Sequence, residues 1–116
     1  MTLKECYEKL EGDFDGACKR LMNEKLLSRF VLKFPDDKSM QLLLDAVKTS
    51  DIETSFRSVH TLKGVAGNLG FTRLYQAAWN LTEQLRPRQE QADQALLKCL
   101  VDEYEYTISV LKDLSL

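Results

Sequence analysis

The chain has 116 residues, 44% hydrophobic and 29% charged, which fits one folded domain with one core and excludes an intrinsically disordered chain. Its formal charge of -2, with sixteen basic residues dispersed among eighteen acidic ones, gives no clustered positive footprint for nucleic acid. Cys6, Cys18 and Cys99 lie far apart, which argues against a disulfide scaffold and a zinc site; small buried or half-buried thiols are expected.

No apolar run approaches the roughly 18 residues of a membrane span. The N-terminal Met1-Thr2-Leu3-Lys4-Glu5-Cys6 has no basic segment followed by an apolar one, so a cytoplasmic protein is expected. The apolar period is helical almost throughout. The first twenty or so residues read as one or two short helices, separated near Gly12–Gly16. Leu27, Phe30, Val31 and Phe34 then form a stripe, continued by Met40, Leu43, Leu44 and Val47. Pro35-Asp36-Asp37 interrupts it, as a break between two helices or a kink in one. Ser50-Asp51-Ile52-Glu53 reads as a capping box opening a helix to about Leu69, with Gly70 as its left-handed stop. The next helix runs from near Thr72 to before Pro87, with Leu74, Ala78, Leu81 and Leu85 on one face. The last runs from about Gln89 to Leu114, with Leu97, Leu100, Tyr104, Ile108 and Leu111 in line. Short connections favour antiparallel neighbours. The expected fold is all-α: an antiparallel up-down four-helix bundle over about 24–114, with short extra N-terminal helices over about 2–22, in a single domain 1–116.

One segment departs from plain bundle patterning. Ser58–Gly70 holds the only histidine and three of the five glycines, two of them inside a helix where each costs about 1 kcal/mol relative to alanine. On a helical wheel of about 100° per residue, His60 falls outside the stripe formed by Ile52, Phe56, Val59, Leu62, Ala66 and Leu69. Gly64 and Gly67 follow at i+4 and i+7, and Lys63 at i+3. A solvent-facing imidazole is a nucleophile in its neutral form. A lysine one turn away can offset the charge of a phosphoryl group placed on it. Residues without side chains leave room for a partner. No phosphate-cradling glycine loop and no acidic magnesium site accompany them, so the chain reads as a carrier without cofactor, metal or ATP site rather than an enzyme. The competing reading is a surface histidine, with both glycines serving as contacts against a neighbouring helix.

His60-Thr61-Leu62-Lys63-Gly64, followed by Val65-Ala66-Gly67-Asn68-Leu69-Gly70, resembles the histidine-containing phosphotransfer (HPt) domain of multistep two-component phosphorelays. Motif and flanks cover roughly residues 24 to 86, including Leu74, Ala77 and Ala78 of the following helix. The resemblance implies that His60 accepts a phosphoryl group from an aspartyl phosphate on a response-regulator receiver domain, through Nε2, and passes it to another receiver. It implies that Lys63 offsets the phosphate charge and that Gly64 gives the receiver access, with Gly67 in the same small-residue stretch. Several family members orient the histidine ring with a glutamine from the next helix. That register falls near Thr82 here, with Gln84 close by. Arg57, one turn before His60, is a candidate docking residue, and a sensor histidine kinase is a further expected partner. Neither nucleic acid nor a membrane is expected, and one self-sufficient bundle is expected to be a monomer. Two alternatives are a receiver-docking module that carries no phosphate, and the excised phosphoacceptor domain of a hybrid or chemotaxis-type kinase. Glu83, Arg86, Arg88 and Glu90 read as a solvated helix end and turn.

Overall fold

The computed structural model describes residues 1–115, and the described part is helical with no strand. Seven α-helices follow one another: α1 Leu3–Leu10, α2 Phe14–Arg20, α3 Glu24–Lys33, α4 Ser39–Lys48, α5 Ile52–Asn68, α6 Thr72–Leu85 and α7 Gln94–Lys112. Side-chain caps start most of them. Thr2 and Glu5 form a reciprocal capping box on α1, and Asp13, Asn23 and Asp93 accept first-turn N–H groups of α2, α3 and α7.

The interruption at Pro35 is a break. A 3-10 turn over Phe34–Asp36 ends α3 because Pro35 has no N–H to continue the ladder. The Asp37 N–H turns back to the Phe34 carbonyl at 2.9 Å, and the Asp37 carboxylate accepts the Ser39 N–H at 2.9 Å to start α4. The cap of α5 falls one residue later than the sequence pattern indicates. Asp51, not Ser50, accepts the Thr54 N–H, at 3.0 Å, while Ser50 takes the left-handed conformation with φ 57°. Glu53 is thereby released from capping and forms ion pairs. The last helix starts five residues later than expected. Arg88 is left-handed at φ 53°, residues 89–93 form a connection, and buried Ala92 tucks it against the bundle.

Helices α4 to α7 pack in sequence, each against the next, as an up-down bundle. Leu43, Val59, Leu62, Ala66, Leu74, Ala78, Leu81, Leu85 and Leu100 fill its axis, all fully or almost fully buried. The α5–α6 turn closes as the spacing predicts. Gly70 has φ 71°, and the Phe71 N–H returns to the Ala66 carbonyl at 3.0 Å. Helices α1 and α2 cover this end. Tyr7 donates its hydroxyl to the Leu69 carbonyl at 2.6 Å, and the Asp13 N–H donates to the Gly70 carbonyl at 2.8 Å. The rings of Tyr7, Phe14, Phe34, Phe71 and Tyr104 interlock there with centroids 5.3 to 5.9 Å apart. Burial and loss of hydration push the Tyr7 phenol well above its usual range.

Two expectations about single residues fail. Phe30, placed in the α3 stripe by periodicity, is 49% exposed, and Cys99 is exposed while Cys6 is buried and Cys18 half-buried. Phe30 sits beside Val65, Asn68 and Leu69 at the rim of a shallow groove, because α3 contributes only Leu27 and Val31 to the core.

Candidate functional site

The site grows from the register of α5. Phe56, Val59, Leu62 and Ala66 are buried toward the bundle axis, which turns Arg57, His60, Thr61 and Gly64 to solvent. His60 is exposed, and among the described residues its ring makes no hydrogen bond. It rests on Phe56, one turn earlier, with ring centroids 5.6 Å apart and planes inclined by 28°.

The two helical glycines separate. A Cβ built on Gly64 would meet nothing within 4 Å, so the surface beside His60 is open there. A Cβ on Gly67 would lie 3.0 Å from Cδ1 of Tyr75. Gly67 is therefore a close-packing position that lets the Tyr75 ring lie on α5, whereas Gly64 leaves its surroundings open. The wheel placed both on one line; it could not show that α6 covers one of them.

Lys63 is half-buried on the α6 side of His60 and forms no ion pair among the described residues. Glu83 faces it from α6. Its carboxyl is held below the usual range, first by the hydrogen bond from Arg86 and further by the nearby charges of Arg86, Lys63 and His60. The Arg86–Glu83 pair is short, at 2.7 Å.

The expected ring-orienting residues point elsewhere. Thr82 is fully buried and donates its hydroxyl to the Ala78 carbonyl of its own helix at 2.7 Å. Gln84 is committed to the α6–α7 connection: its amide donates to the Gln91 carbonyl at 3.0 Å and accepts the Asp93 N–H at 2.9 Å. Both lie on α6 as spacing predicts, and their hydrogen bonds in this structure go to partners other than the imidazole. Arg57 stays on the exposed face and reaches Glu53 at 3.7 Å.

The cluster that sequence reading misses is on the α6–α7 connection. Arg88 lays its guanidinium 3.6 Å from the Phe56 ring centroid, and Arg86 lies 5.4 Å from the same ring. Arg88 is held by Glu53 at 3.0 Å and by the Arg86 carbonyl at 2.8 Å. These residues read as a solvated turn because their contacts cross 35 positions of sequence. One signal could have located them. Counting outward from the turn after Gly70, centred on Phe71, in an antiparallel pair brings residues 82–83 level with His60 and 86 level with Phe56.

Among the described residues no three His, Cys, Asp or Glu side chains gather as a metal-binding group. No helix there is long and apolar enough to cross a membrane. A groove of about 660 Å³ lies between the Pro35 turn, α4 and α7 and shares no lining residue with the His60 surroundings. Chemically, the arrangement offers an exposed imidazole with a neighbouring ammonium and open space over Gly64. The family model of the Hpt domain matches residues 25–110, which spans α3 to most of α7. No curated protein and no solved structure matches the chain.

Proposed function

Since this chain belongs to the Hpt domain family, whose role is histidine phosphotransfer in phosphorelays, we propose that His60 is its phosphorylated residue and that receiver domains are its donors and acceptors. The neutral imidazole attacks the phosphorus of a receiver's aspartyl phosphate through the Nε2 lone pair. The N–P bond forms as the acyl O–P bond breaks, and the aspartate leaves as a carboxylate. Transfer to the next receiver reverses these bonds with a different carboxylate. The catalytic metal and acidic residues belong to the receiver, and this chain supplies the nucleophile and its surroundings.

The observation that carries this reading is the pairing of an exposed, hydrogen-bond-free imidazole with open space over Gly64 one turn later. Lys63 takes the part of the phosphate-neutralising cation, since no carboxylate among the described residues claims its ammonium. Trp79, 41% exposed and level with Lys63 on α6, supplies apolar surface at the edge of the docking face. A small docking face suits a relay partner that must leave after transfer. The chain acts as a monomer in the cytoplasm, where a sensor histidine kinase feeds the relay.

The test is incubation with a panel of phosphorylated receiver domains, read by intact mass, with His60→Gln alongside. Gain of one acid-labile phosphoryl group by the wild type and none by the variant is the expected result. No gain from any receiver leaves a docking module that carries no phosphate. A gain that survives in His60→Gln moves the phosphorylated residue elsewhere.

A further inference from the structure

We infer that Phe56 is the positioning residue of the His60 imidazole and that Arg88, from the α6–α7 connection, clamps Phe56 in that role; this rests on the phosphocarrier reading of His60. An exposed imidazole free of hydrogen bonds would rotate about both side-chain bonds. Here the ring has one aromatic neighbour, Phe56, stacked at 28°. Phe56 can serve as a fixed shelf because it is itself only 7% exposed and packed in the core cluster.

The clamp is built from the far end of the helix hairpin. Arg88 adopts φ 53° and returns its N–H to the Leu85 carbonyl at 2.9 Å, which turns the chain back over α5 after Pro87. Its guanidinium then sits 3.6 Å from the Phe56 centroid while Glu53 holds it at 3.0 Å. Glu53 is one turn before Phe56 and His60 one turn after. The shelf is therefore gripped on one side along the helix and used on the other. A cation on the face of the ring resists tilting of that ring.

Stacking suits this chemistry. Nitrogen lone pairs of imidazole lie in the ring plane, so a partner on the ring face fixes orientation without occupying either nitrogen. A hydrogen-bonding side chain would hold the ring by one nitrogen, and the residues of α6 nearest for that are bonded elsewhere: Thr82 to Ala78, Glu83 to Arg86 and Gln84 to the α6–α7 connection. The shelf also explains why an arginine in a solvated turn is pinned by two hydrogen bonds.

The experiment uses the full chain and a small phosphoryl donor, phosphoramidate, so that receiver docking does not enter. Nε2 of His60 forms the N–P bond as the donor's P–N bond breaks, and the departing nitrogen leaves as ammonia with a proton from solvent. Wild type, Phe56→Leu, Phe56→Tyr and Arg88→Gln are compared by labelling rate and by the His60 ring proton shifts, which are unambiguous because the chain has one histidine. The expected result is a ring-current shift of the His60 protons in wild type and in Phe56→Tyr. It is lost in Phe56→Leu and reduced in Arg88→Gln, with labelling slowed by about two- to tenfold in both. Identical shifts and rates in all four overturn the inference. If circular dichroism shows Phe56→Leu unfolded, Arg88→Gln decides alone, since its side chain lies on the exposed connection. A wild type that takes no label overturns the phosphocarrier reading instead, and the ring shifts still decide whether the shelf exists.

Discussion

Two stretches of α5 three residues apart have opposite surroundings. Around Gly67 the helix is pressed against Tyr75 and leads into a turn sealed by α1, α2 and five interlocking rings. Around His60 and Gly64 the same helix is open, and its neighbours are a half-buried lysine and guanidinium groups from the distal connection. The first stretch fixes the hairpin and the second is exposed, as the proposed phosphotransfer role requires. A bundle can carry a reactive residue in mid-helix because its stability is lodged elsewhere, at the turn and along the axis. The separation is sharp enough that one substitution type should act differently in each place.

The largest expected effect is at the sealed end. Phe71→Ala removes a ring that touches both Tyr7 and Phe34 and is expected to destabilise the fold by about 3–5 kcal/mol in urea unfolding. His60 should still be labelled under conditions where the variant is folded; loss of labelling in the folded variant would mean that the two ends are coupled. Leucine at each glycine gives the most direct contrast. Gly67→Leu should lose about 1–3 kcal/mol because its side chain must displace the Tyr75 ring. Gly64→Leu should unfold at the same or higher urea concentration, with a gain of up to about 1 kcal/mol from helix propensity. It should nonetheless cut phosphotransfer from receivers by tenfold or more. Equal stability of the two variants would erase the distinction drawn between these glycines.

Tyr7→Phe leaves the buried Leu69 carbonyl without its donor and should cost about 1 kcal/mol, without change at His60. Lys63→Ala should leave unfolding nearly unchanged and alter phosphohistidine lifetime or transfer rate by a few fold, read by time-resolved intact mass. A lysine variant equal to wild type in both would remove its charge role.

The smallest effect is at the start of α5. The hydrogen bonds that Asp51 accepts from Thr54 hold its carboxyl below the usual aspartate range. Its folded-state value is depressed, so the cap stabilises fully above the ordinary aspartate value and fades as pH falls through the folded one. Asp51→Ala should therefore be less stable than wild type at about pH 7, and the gap should narrow toward about pH 2.5. A gap that stays constant with pH would mean that the carboxylate charge plays no part in the cap.

Much of this was legible in the residues. Helical period, Gly70 and Pro87 located α5 and α6 to within a residue or two, because those signals act over one or two turns. The start of α7 was misplaced because Gln89–Gln91 carries no turn signal, while the chain there is held by Gln84 and by burial of Ala92. The motif singled out the His60 region, but periodicity alone could not tell a glycine that faces solvent from one beneath a ring.

What the sequence determined by itself is what depends on neighbours along the chain: an all-helical fold, the turn at Gly70, and an imidazole turned away from the apolar stripe with Lys63 and Gly64 beside it. Tertiary structure alone decided what stands across from that face. Gly67 became a packing site, Gln84 was drawn into the α6–α7 connection, and Arg88 came to lie on Phe56. The physical reason is that side-chain contacts between helices depend on rotation and depth at the level of a few ångströms, and on competing partners. None of these is encoded in the period of a single helix.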